Sequence, residues 1–517
     1  MKKNSIAGIL ITLTFLTTLV MVFPVQAARP TIKIGIIGPN ELPHWSPAGM
    51  KEGAELARDT INVAGVNVGG TLYDFELAFR DEHSAPPHDA AAAKAEIVDL
   101  VTWGANVIVG GFRTEVTGPM IEQAMDLETP FIIDGAATSS LVEGVGTDYA
   151  RYKYLFRVTP VNDSMLLPTI TNYLKDYLVP ERLLPMCGHD LGKGIPQVST
   201  AVLMEDLNWT LTMYGALTNP AIYPMFVGPN VNVTYAARIP VTTTNFKPYF
   251  DALKLENVHL IVHIFSGALG VPYAIQWKDE AVPAVTVGIN VMAQLQIHWG
   301  NTGGKCEGEA ILSSTGTRTN IVPGLSDVFW DAFVAKTGGV WPIYTAWGAY
   351  NALMILKEAY EAAGSLDKDL LVTALEGIDT VGTLGSFKFT SNHDVYCAST
   401  GATSGTYTYS RAFLVQWQTP GVQEVVSPVD QTYSRRFKIP TALYEFADVD
   451  LNFDGVVDIY DAIKLSLHFG SGPEADPPDM VKWDVSADII IDGVIDIYDA
   501  IKLAILFGGE AEVWPIP

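Results

Sequence analysis

The chain has 517 residues, of which 48% are hydrophobic and 17% are charged. This composition is typical of folded protein and excludes an intrinsically disordered chain, and the length predicts two or three domains. The formal net charge of -25 argues against nucleic acid as a partner, because phosphate recognition needs clustered Lys and Arg side chains.

The N-terminus has the three parts of a secretory signal. Two lysines at positions 2 and 3 precede an apolar run over residues 6–23, and Val25-Gln26-Ala27 supplies a small-residue cleavage site. Residues 1–27 are therefore predicted to be a signal peptide cleaved after Ala27, and an uncleaved membrane anchor is the alternative. The chain is expected to be exported, to the periplasm, the cell surface or the medium.

Strands and helices alternate along the first part of the mature chain. The pattern predicts strands over residues 31–38, 72–77, 106–109 and 130–133, and helices over residues 48–61, 90–101 and 117–125. A second series is predicted after residue 157, with a helix over 166–177 and strands over 183–187 and 260–265. Alternation of this kind predicts βαβ units and two α/β lobes with doubly wound parallel sheets. Ligands would collect in the cleft, beyond the C-terminal ends of the strands.

The sequence offers little support for an enzyme. It contains no nucleophile elbow, no phosphate-binding loop and no His-Glu metal signature. Three cysteines, Cys187, Cys306 and Cys397, allow one disulfide and one free thiol, and their spacing matches no metal-ligand pattern. A non-enzymatic binding protein is the expected class.

A series of short motifs points to a known family. They are Ile-Gly-Ile-Ile-Gly-Pro at 34–39, Gly-x-x-x-Gly-Ala-Glu-Leu-Ala at 49–57, Pro-Phe-Ile-Ile-Asp-Gly-Ala-Ala-Thr at 130–138, Phe-Arg-Val-Thr-Pro at 156–160 and Tyr-Asn-Ala at 350–352. In this order and spacing, the chain from about 31 to 430 resembles the type I periplasmic solute-binding proteins, specifically the branched-chain amino acid group that feeds ABC transporters.

The resemblance implies a two-lobed fold with a hinge over residues 29–440 and an ABC transporter permease as partner. The first lobe would take about 29–157 and 290–365, and the second about 158–289 and 366–440. The chain would then cross between the lobes three times. A small-molecule solute would bind in the cleft and close the lobes.

The resemblance also directs attention to two turns of the first lobe. Ala136 and Thr138 match the turn where backbone groups and a hydroxyl hold the ligand. Arg113, Thr114 and Glu115 stand where the family has a serine-rich turn, and a helix N-terminus there is a natural anion site. Ordinary helix capping by these residues is the alternative.

In the second lobe the sequence departs from the family pattern. Leu191 replaces a tyrosine, and Asn290 stands where amino acid binders carry an acidic residue for the ligand ammonium. A buried ammonium without a carboxylate is costly, so an α-amino acid ligand requires a substitute such as Glu41, Glu115 or Asp190. Phe265 and Ser266 follow a predicted strand and are further candidates for the cleft wall.

The C-terminal tail is acidic and carries a repeated loop. Residues 448–512 contain 12 Asp and 3 Glu against three Lys, and the eight residues at 458–465 recur unchanged at 496–503. The spacing of oxygen ligands, with Gly at position 6 and a backbone carbonyl at position 7, predicts two calcium loops. The predicted ligands are Asp450, Asn452, Asp454, Val456, Asp458 and Asp461 in the first loop, and Asp488, Asp492, Val494, Asp496 and Asp499 in the second.

Two such loop-helix units over about 446–510 resemble a type I dockerin, a small α-helical module with EF-hand-like loops that binds cohesin domains. Ile490 occupies position 3 of the second loop, where the family has Asn or Asp, so that loop should bind calcium more weakly. The resemblance implies a cohesin-domain partner on a surface scaffold.

Two functions follow from these patterns. The first is the substrate-binding component of an ABC importer, with the dockerin attaching it to the surface. The second is a surface-assembled interaction or ligand-sensing protein, including an accessory of a polysaccharide-degrading complex.

Overall fold

The computed structural model describes residues 28–39, 49–85, 87–158, 162–313, 322–397, 403–404, 406–409, 412–427, 437–439 and 443. The predicted signal peptide, Glu41, the calcium loops and the dockerin-like module lie outside these residues. Within them, the chain forms two large sheets and their flanking helices.

The first sheet has six strands in the order β2-β3-β1-β4-β5-β6. The strands are β1 Thr31–Gly38, β2 Val66–Val68, β3 Thr71–Asp81, β4 Val107–Gly110, β5 Phe131–Ile133 and β6 Leu155–Arg157. All neighbours pair in parallel except β2 and β3. The strands β4, β5 and β6 are buried at every residue, as expected for a parallel sheet that is covered on both faces.

The connections within this sheet are helical. The helices are α1 Met50–Ala64, α2 Ala90–Trp103, α3 Thr114–Asp126, α4 Glu143–Thr147 and α5 Tyr149–Tyr152. The strands and helices predicted over residues 31–133 are thus confirmed, with β2 as an additional strand that the sequence did not reveal.

The second sheet follows the order β18-β17-β12-β11-β10-β8-β7, and β9 pairs with β8. Its strands are β7 His189–Asp190, β8 Pro196–Glu205, β9 Val231–Ile239, β10 Leu260–Phe265, β11 Val285–Asn290, β12 Ala310–Ser313, β17 Phe413–Gln418 and β18 Val422–Ser427. The central strands β8 to β12 pair in parallel, and β7, β17 and β18 pair antiparallel at the edges.

Short helices connect the strands of the second sheet. They are α6 Asp163–Tyr173, α7 Leu184–Cys187, α8 Leu211–Thr218, α9 Tyr223–Val227, α10 Lys247–Leu255, α11 Gly270–Asp279, α12 Val291–Gln294 and α13 His298–Asn301, with a π-helical stretch at Leu174–Leu183. The strand predicted over 183–187 is therefore wrong, because this apolar run continues a helix that starts at Asp163.

The chain then returns to the first sheet. Helices α14 Ser326–Thr337, α15 Tyr344–Ala363 and α16 Lys368–Glu376 follow β12, and both α14 and α15 pack on α1. Two hairpins follow, β13 Asp379–Gly382 with β14 Gly385–Lys388, and β15 Thr403–Ser404 with β16 Tyr407–Thr408, before the chain re-enters the second sheet as β17.

The boundaries of the lobes differ from the expected ones in two places. The second sheet includes β12, so the second lobe extends to at least Ser313 and not only to residue 289. Helix α16 packs on α15, so the first lobe extends past residue 365. Strand pairing decides the first of these boundaries and helix packing decides the second. Neither can be predicted from the length of a segment.

Two further findings concern the described chain as a whole. The three cysteines are free thiols, so the disulfide that their number allowed is absent from this part of the chain. None of the helices among the described residues combines the length and the apolar character that a membrane span needs.

Candidate ligand-binding site

A pocket lies between the two lobes, beyond the C-terminal ends of the parallel strands. Its unoccupied space, including the part that opens to solvent, is about 490 Å³. The first lobe lines it with Phe112, Arg113, Thr114, Gly135, Ala137 and Tyr344. The second lobe lines it with Leu166, Trp209, Ser266, Ile289, Val291, Gln294 and Leu312. Most of these side chains are apolar, and a few polar groups interrupt them, which is the usual composition of a small-molecule site.

The turn after β4 places Arg113 at the pocket. Gly110 and Gly111 have φ of 143° and 86°, and a Cβ on Gly110 would lie 1.8 Å from the carbonyl oxygen of Ile37. Only glycine fits this approach, and it lets the chain turn into helix α3 with Arg113 as its N-cap. The Arg113 side chain is 7% exposed.

The buried carboxyl group of Glu82 holds this turn in place through hydrogen bonds. Glu82, which follows β3, accepts hydrogen bonds from the amides of Phe112 (2.6 Å) and Arg113 (3.4 Å). Burial raises the pKa of Glu82 to about 7, although these amides and the Arg113 charge oppose the rise. Asp134, after β5, is also fully buried, and burial raises its pKa well above the ordinary value.

Arg113 reaches from the first lobe to a polar cluster of the second. Its Nη1 donates to Ser266 Oγ over 3.4 Å, and Ser266 in turn donates to Glu205 Oε1. Trp209 Nε1 donates to the same Glu205 oxygen over 2.6 Å. Burial raises the pKa of Glu205, and the Arg113 charge opposes this rise. We call Arg113, Ser266, Trp209 and Glu205 the cross-lobe cluster.

A second contact joins the lobes beside this cluster. Glu115, in the first turn of α3, accepts a hydrogen bond from the backbone N–H of Asn208 over 3.0 Å. The two lobes are therefore held together on one side of the pocket by polar contacts from the same turn. The lobes are closed in this structure.

The structure brings three of the predicted site residues to the pocket, namely Arg113, Thr114 and Ser266. Ala136 and Thr138 lie just behind its wall. Ala136 is 1% exposed and donates its N–H to the Gly111 carbonyl, and the Thr138 hydroxyl pairs with Thr114 Oγ1 over 2.7 Å. Both residues support the lining of the pocket.

Phe265 and Asn290 are fully buried within the second lobe, away from the pocket lining. Phe265 packs edge-on against Phe246 and Tyr273, because its side chain points to the core side of β10. Asn290 Nδ2 donates to Glu309 Oε1 (2.7 Å) and to the Gly270 carbonyl (3.1 Å).

Leu191 lies at the opposite end of the second sheet from the pocket. It precedes β8, whereas the site lies beyond the end of β8 at Glu205. The run over 183–187, predicted as a strand of this lobe, is helical, so Leu191 does not follow a strand that leads to the cleft. Ligand contact by the remaining candidates, Glu41, Glu115 and Asp190, stays a prediction.

Sequence reasoning missed Trp209, Glu205 and Tyr344. The apolar and β-branched run over 196–205 predicts a buried strand, and recognising it would have placed Glu205 and Trp209 at the cleft. Tyr344 comes from the distant N-terminus of α15, and no local pattern indicates that this helix reaches the pocket.

Comparison with solved structures shows the fold. A branched-chain amino acid transporter substrate-binding protein from Streptococcus pneumoniae, solved with isoleucine, is 20% identical over 77% of this chain and 100% of that chain, with a TM-score of 0.57. A putative branched-chain amino acid ABC transporter from Silicibacter pomeroyi is 16% identical over 80% and 100%, with a TM-score of 0.65. A solute-binding protein of an ABC transporter from Rhodopseudomonas palustris, solved with p-hydroxybenzoic acid, is 17% identical over 79% and 98%, with a TM-score of 0.58.

The chain has the two-lobed periplasmic-binding-protein fold. No protein-family model and no curated protein sequence matches it. These structural neighbours are substrate-binding, solute-binding or transporter proteins of ABC systems. At these identities the likeness establishes the architecture and leaves the ligand open.

Proposed function

We propose that this protein is the exported solute-binding component of an ABC importer. The observation that carries the proposal is a pocket that both lobes line at the C-terminal ends of their strands. Capture by closure of the lobes would deliver the solute to a permease. The fold of the structural neighbours supports this proposal.

The lining indicates the kind of solute. Leu166, Trp209, Ile289, Val291 and Leu312 present apolar surface, so the ligand should have a compact apolar body. Isoleucine and p-hydroxybenzoic acid, the ligands of two neighbours, both have such a body.

A standard branched-chain amino acid is expected to bind weakly. The resemblance assigns the acidic partner of its ammonium to position 290, where this chain has Asn290. The Asn290 side chain is committed to Glu309 and Gly270, which supports this expectation.

A calcium-folded dockerin at the C-terminus is the second part of the proposal. The repeated eight residues at 458–465 and 496–503 favour it, because they carry the oxygen ligands of two calcium loops. A cohesin-domain protein is the proposed partner of this module. If the module is the main functional part, the protein is a surface-assembled or ligand-sensing protein, with the polysaccharide-degrading complex as one setting.

The test of solute binding uses the mature chain and a panel of leucine, isoleucine, isovaleramide, benzamide, benzoate and 4-hydroxybenzoate. We expect at least one compound other than leucine and isoleucine to raise the melting temperature and to bind in calorimetry. Val291→Trp, which fills the pocket, should abolish binding, whereas Val63→Trp, at a position that is 82% exposed, should not. Binding that survives Val291→Trp, or a panel without any effect, would contradict the proposal.

A further inference from the structure

Arg113 is the one cationic side chain among the described residues that line the pocket, and two carboxyl groups of the protein lie close enough to feel its charge. Arg113 follows directly on Phe112, whose amide donates to Glu82, and its guanidinium reaches Ser266, whose hydroxyl donates to Glu205. Glu82 belongs to the first lobe and Glu205 to the second. Both carboxyl groups are fully buried, so water screens their charges poorly.

The position of Glu205 is fixed by its hydrogen bonds. Its Oε1 accepts from both Ser266 and Trp209, two residues that line the pocket. Its Oε2 is buried and has no hydrogen-bond partner among the described residues. Glu205 therefore stands directly behind the pocket wall, with one oxygen unused by the protein.

Arg113 and Glu205 both approach Gly267. A Cβ on Gly267 would lie 3.5 Å from Arg113 Nη2 and 3.8 Å from Glu205 Oε2. The two groups are therefore no more than about 7 Å apart, a separation at which opposite charges in a desolvated site still attract strongly. Arg113 Nε, like Glu205 Oε2, is buried without a hydrogen-bond partner in the described chain.

This arrangement has a consequence for the charge of the ligand. When the lobes close, the protein itself supplies the counter-charge of Arg113, so an anionic ligand finds a cation that is already balanced. A ligand carboxylate would add a third negative charge, beside those of Glu205 and Glu82, in a site with little water. A ligand without net charge meets no such penalty and still finds a donor on Arg113 and an acceptor in Gln294 Oε1.

We infer that Glu205 determines ligand charge in this protein, selecting solutes without net charge, such as amides, over the corresponding carboxylates. This inference rests on the proposed function, since it concerns the same pocket. Glu205 acts through Arg113 and is a positioning residue, not a contact residue. The same Arg113 side chain without Glu205 would favour an acid.

The test compares isosteric pairs, benzamide with benzoate and isovaleramide with isovalerate, by calorimetry on the mature chain at pH 7.5. In the wild-type protein we expect the amide of at least one pair to bind at least about tenfold more tightly than its acid. Glu205→Gln keeps the size of the side chain and removes its charge, so it should reduce or reverse this ratio. Circular dichroism melts confirm that the variant is folded.

Two further variants keep the inference testable. Asp206→Asn removes the same charge one residue further along, from an exposed side chain that pairs with Arg238 on the surface, and should leave the ratio unchanged. Arg113→Gln removes the cation, and it should weaken acids more than amides even if Glu205→Gln does not fold.

The outcomes separate this inference from the proposed function. An acid that binds more tightly than its amide in the wild type, or a ratio that Glu205→Gln leaves unchanged, would overturn the role of Glu205 while solute binding stands. Binding of no compound by wild type or variant would overturn both.

Discussion

Glu82 is the residue with the clearest consequence for pH. Its pKa is raised to about 7 in the folded protein, mainly by burial, whereas the carboxyl of an unfolded chain titrates near 4.5. Between these values the folded state binds more protons than the unfolded state, so the free energy of unfolding should fall as the pH rises from about 5 through 7. Burial also raises the pKa of Asp134 and the pKa of Glu205, so both groups add to this slope.

Glu82→Gln should flatten this pH dependence, because the amide carries no titrating proton and retains an oxygen for the Phe112 N–H. Urea unfolding at pH 5, 6, 7 and 8 measures the effect. Glu256→Gln, at an exposed side chain, is the matched control and should keep the wild-type slope. A slope in Glu82→Gln as steep as in the wild type would show that Glu82 does not titrate in this range.

The residues of the candidate site differ in how well the sequence alone predicts their position at the cleft. Arg113 and Ser266 follow strands whose apolar runs are easy to read, so their place at the cleft could be predicted. Phe265 precedes Ser266 by one residue, and alternation along a strand puts its side chain on the opposite face, in the core. The partner of Arg113, Glu205, is remote in sequence and only the folded sheet brings it near.

Among the elements, the first lobe could be predicted almost strand by strand, and the second could not. In the first lobe each buried strand is bounded by Gly or Pro, and the helices between them have clear periodicity. In the second lobe, Pro180 and Pro185 interrupt an apolar stretch that is nevertheless helical from Asp163 to Cys187. Judged locally, its prolines and short apolar run are typical of a strand between turns. The segment is helical because packing overrides this local preference.

The contact between α1 and α15 gives a prediction at this scale. A Cβ on Gly53 would lie 2.1 Å from the carbonyl oxygen of Ala346, so the two helices touch through backbone. Gly53→Ala should therefore force them apart and destabilise the protein by roughly 1–3 kcal/mol. Chemical denaturation of the mature chain measures the change.

Gly215→Ala is the matched control, since Gly215 lies in helix α8 and a Cβ there would meet nothing within 4 Å. The higher helix propensity of alanine should leave this variant at least as stable as the wild type, by up to about 1 kcal/mol. A Gly53→Ala protein of wild-type stability would mean that the helices can separate without cost.

On the scale of the whole molecule, the pocket depends on both lobes and on stretches that are far apart in the chain. Phe112 to Ala137 and Tyr344 come from the first lobe, and Leu166 of α6 together with residues between 209 and 312 supplies the opposite wall. Each lobe alone would expose these apolar side chains to water, so ligand binding should favour the closed arrangement. The cross-lobe cluster adds polar contacts that form only on closure.

We expect the C-terminal tail to add a cation-dependent part to this molecule. The fifteen acidic residues over residues 448–512, offset by only three lysines, should repel one another until cations bind, and a module of this size has little core to offset that repulsion. Calcium binding should therefore be coupled to folding of the module. The first loop offers side-chain oxygens at positions 1, 3, 5, 9 and 12, and the second lacks the one at position 3 because of Ile490.

Calcium titration of the mature chain by calorimetry should then resolve two unequal sites, the weaker one lost first on addition of a chelator. Ile490→Asn restores the missing oxygen and should bring the second site close to the affinity of the first, whereas Ile489→Asn, at a position that supplies no ligand, should not. Circular dichroism should show that the wild type and both variants gain helix when calcium is added. Two equal sites in the wild type, or no response to Ile490→Asn, would mean that the loop oxygens at position 3 do not set the order of filling.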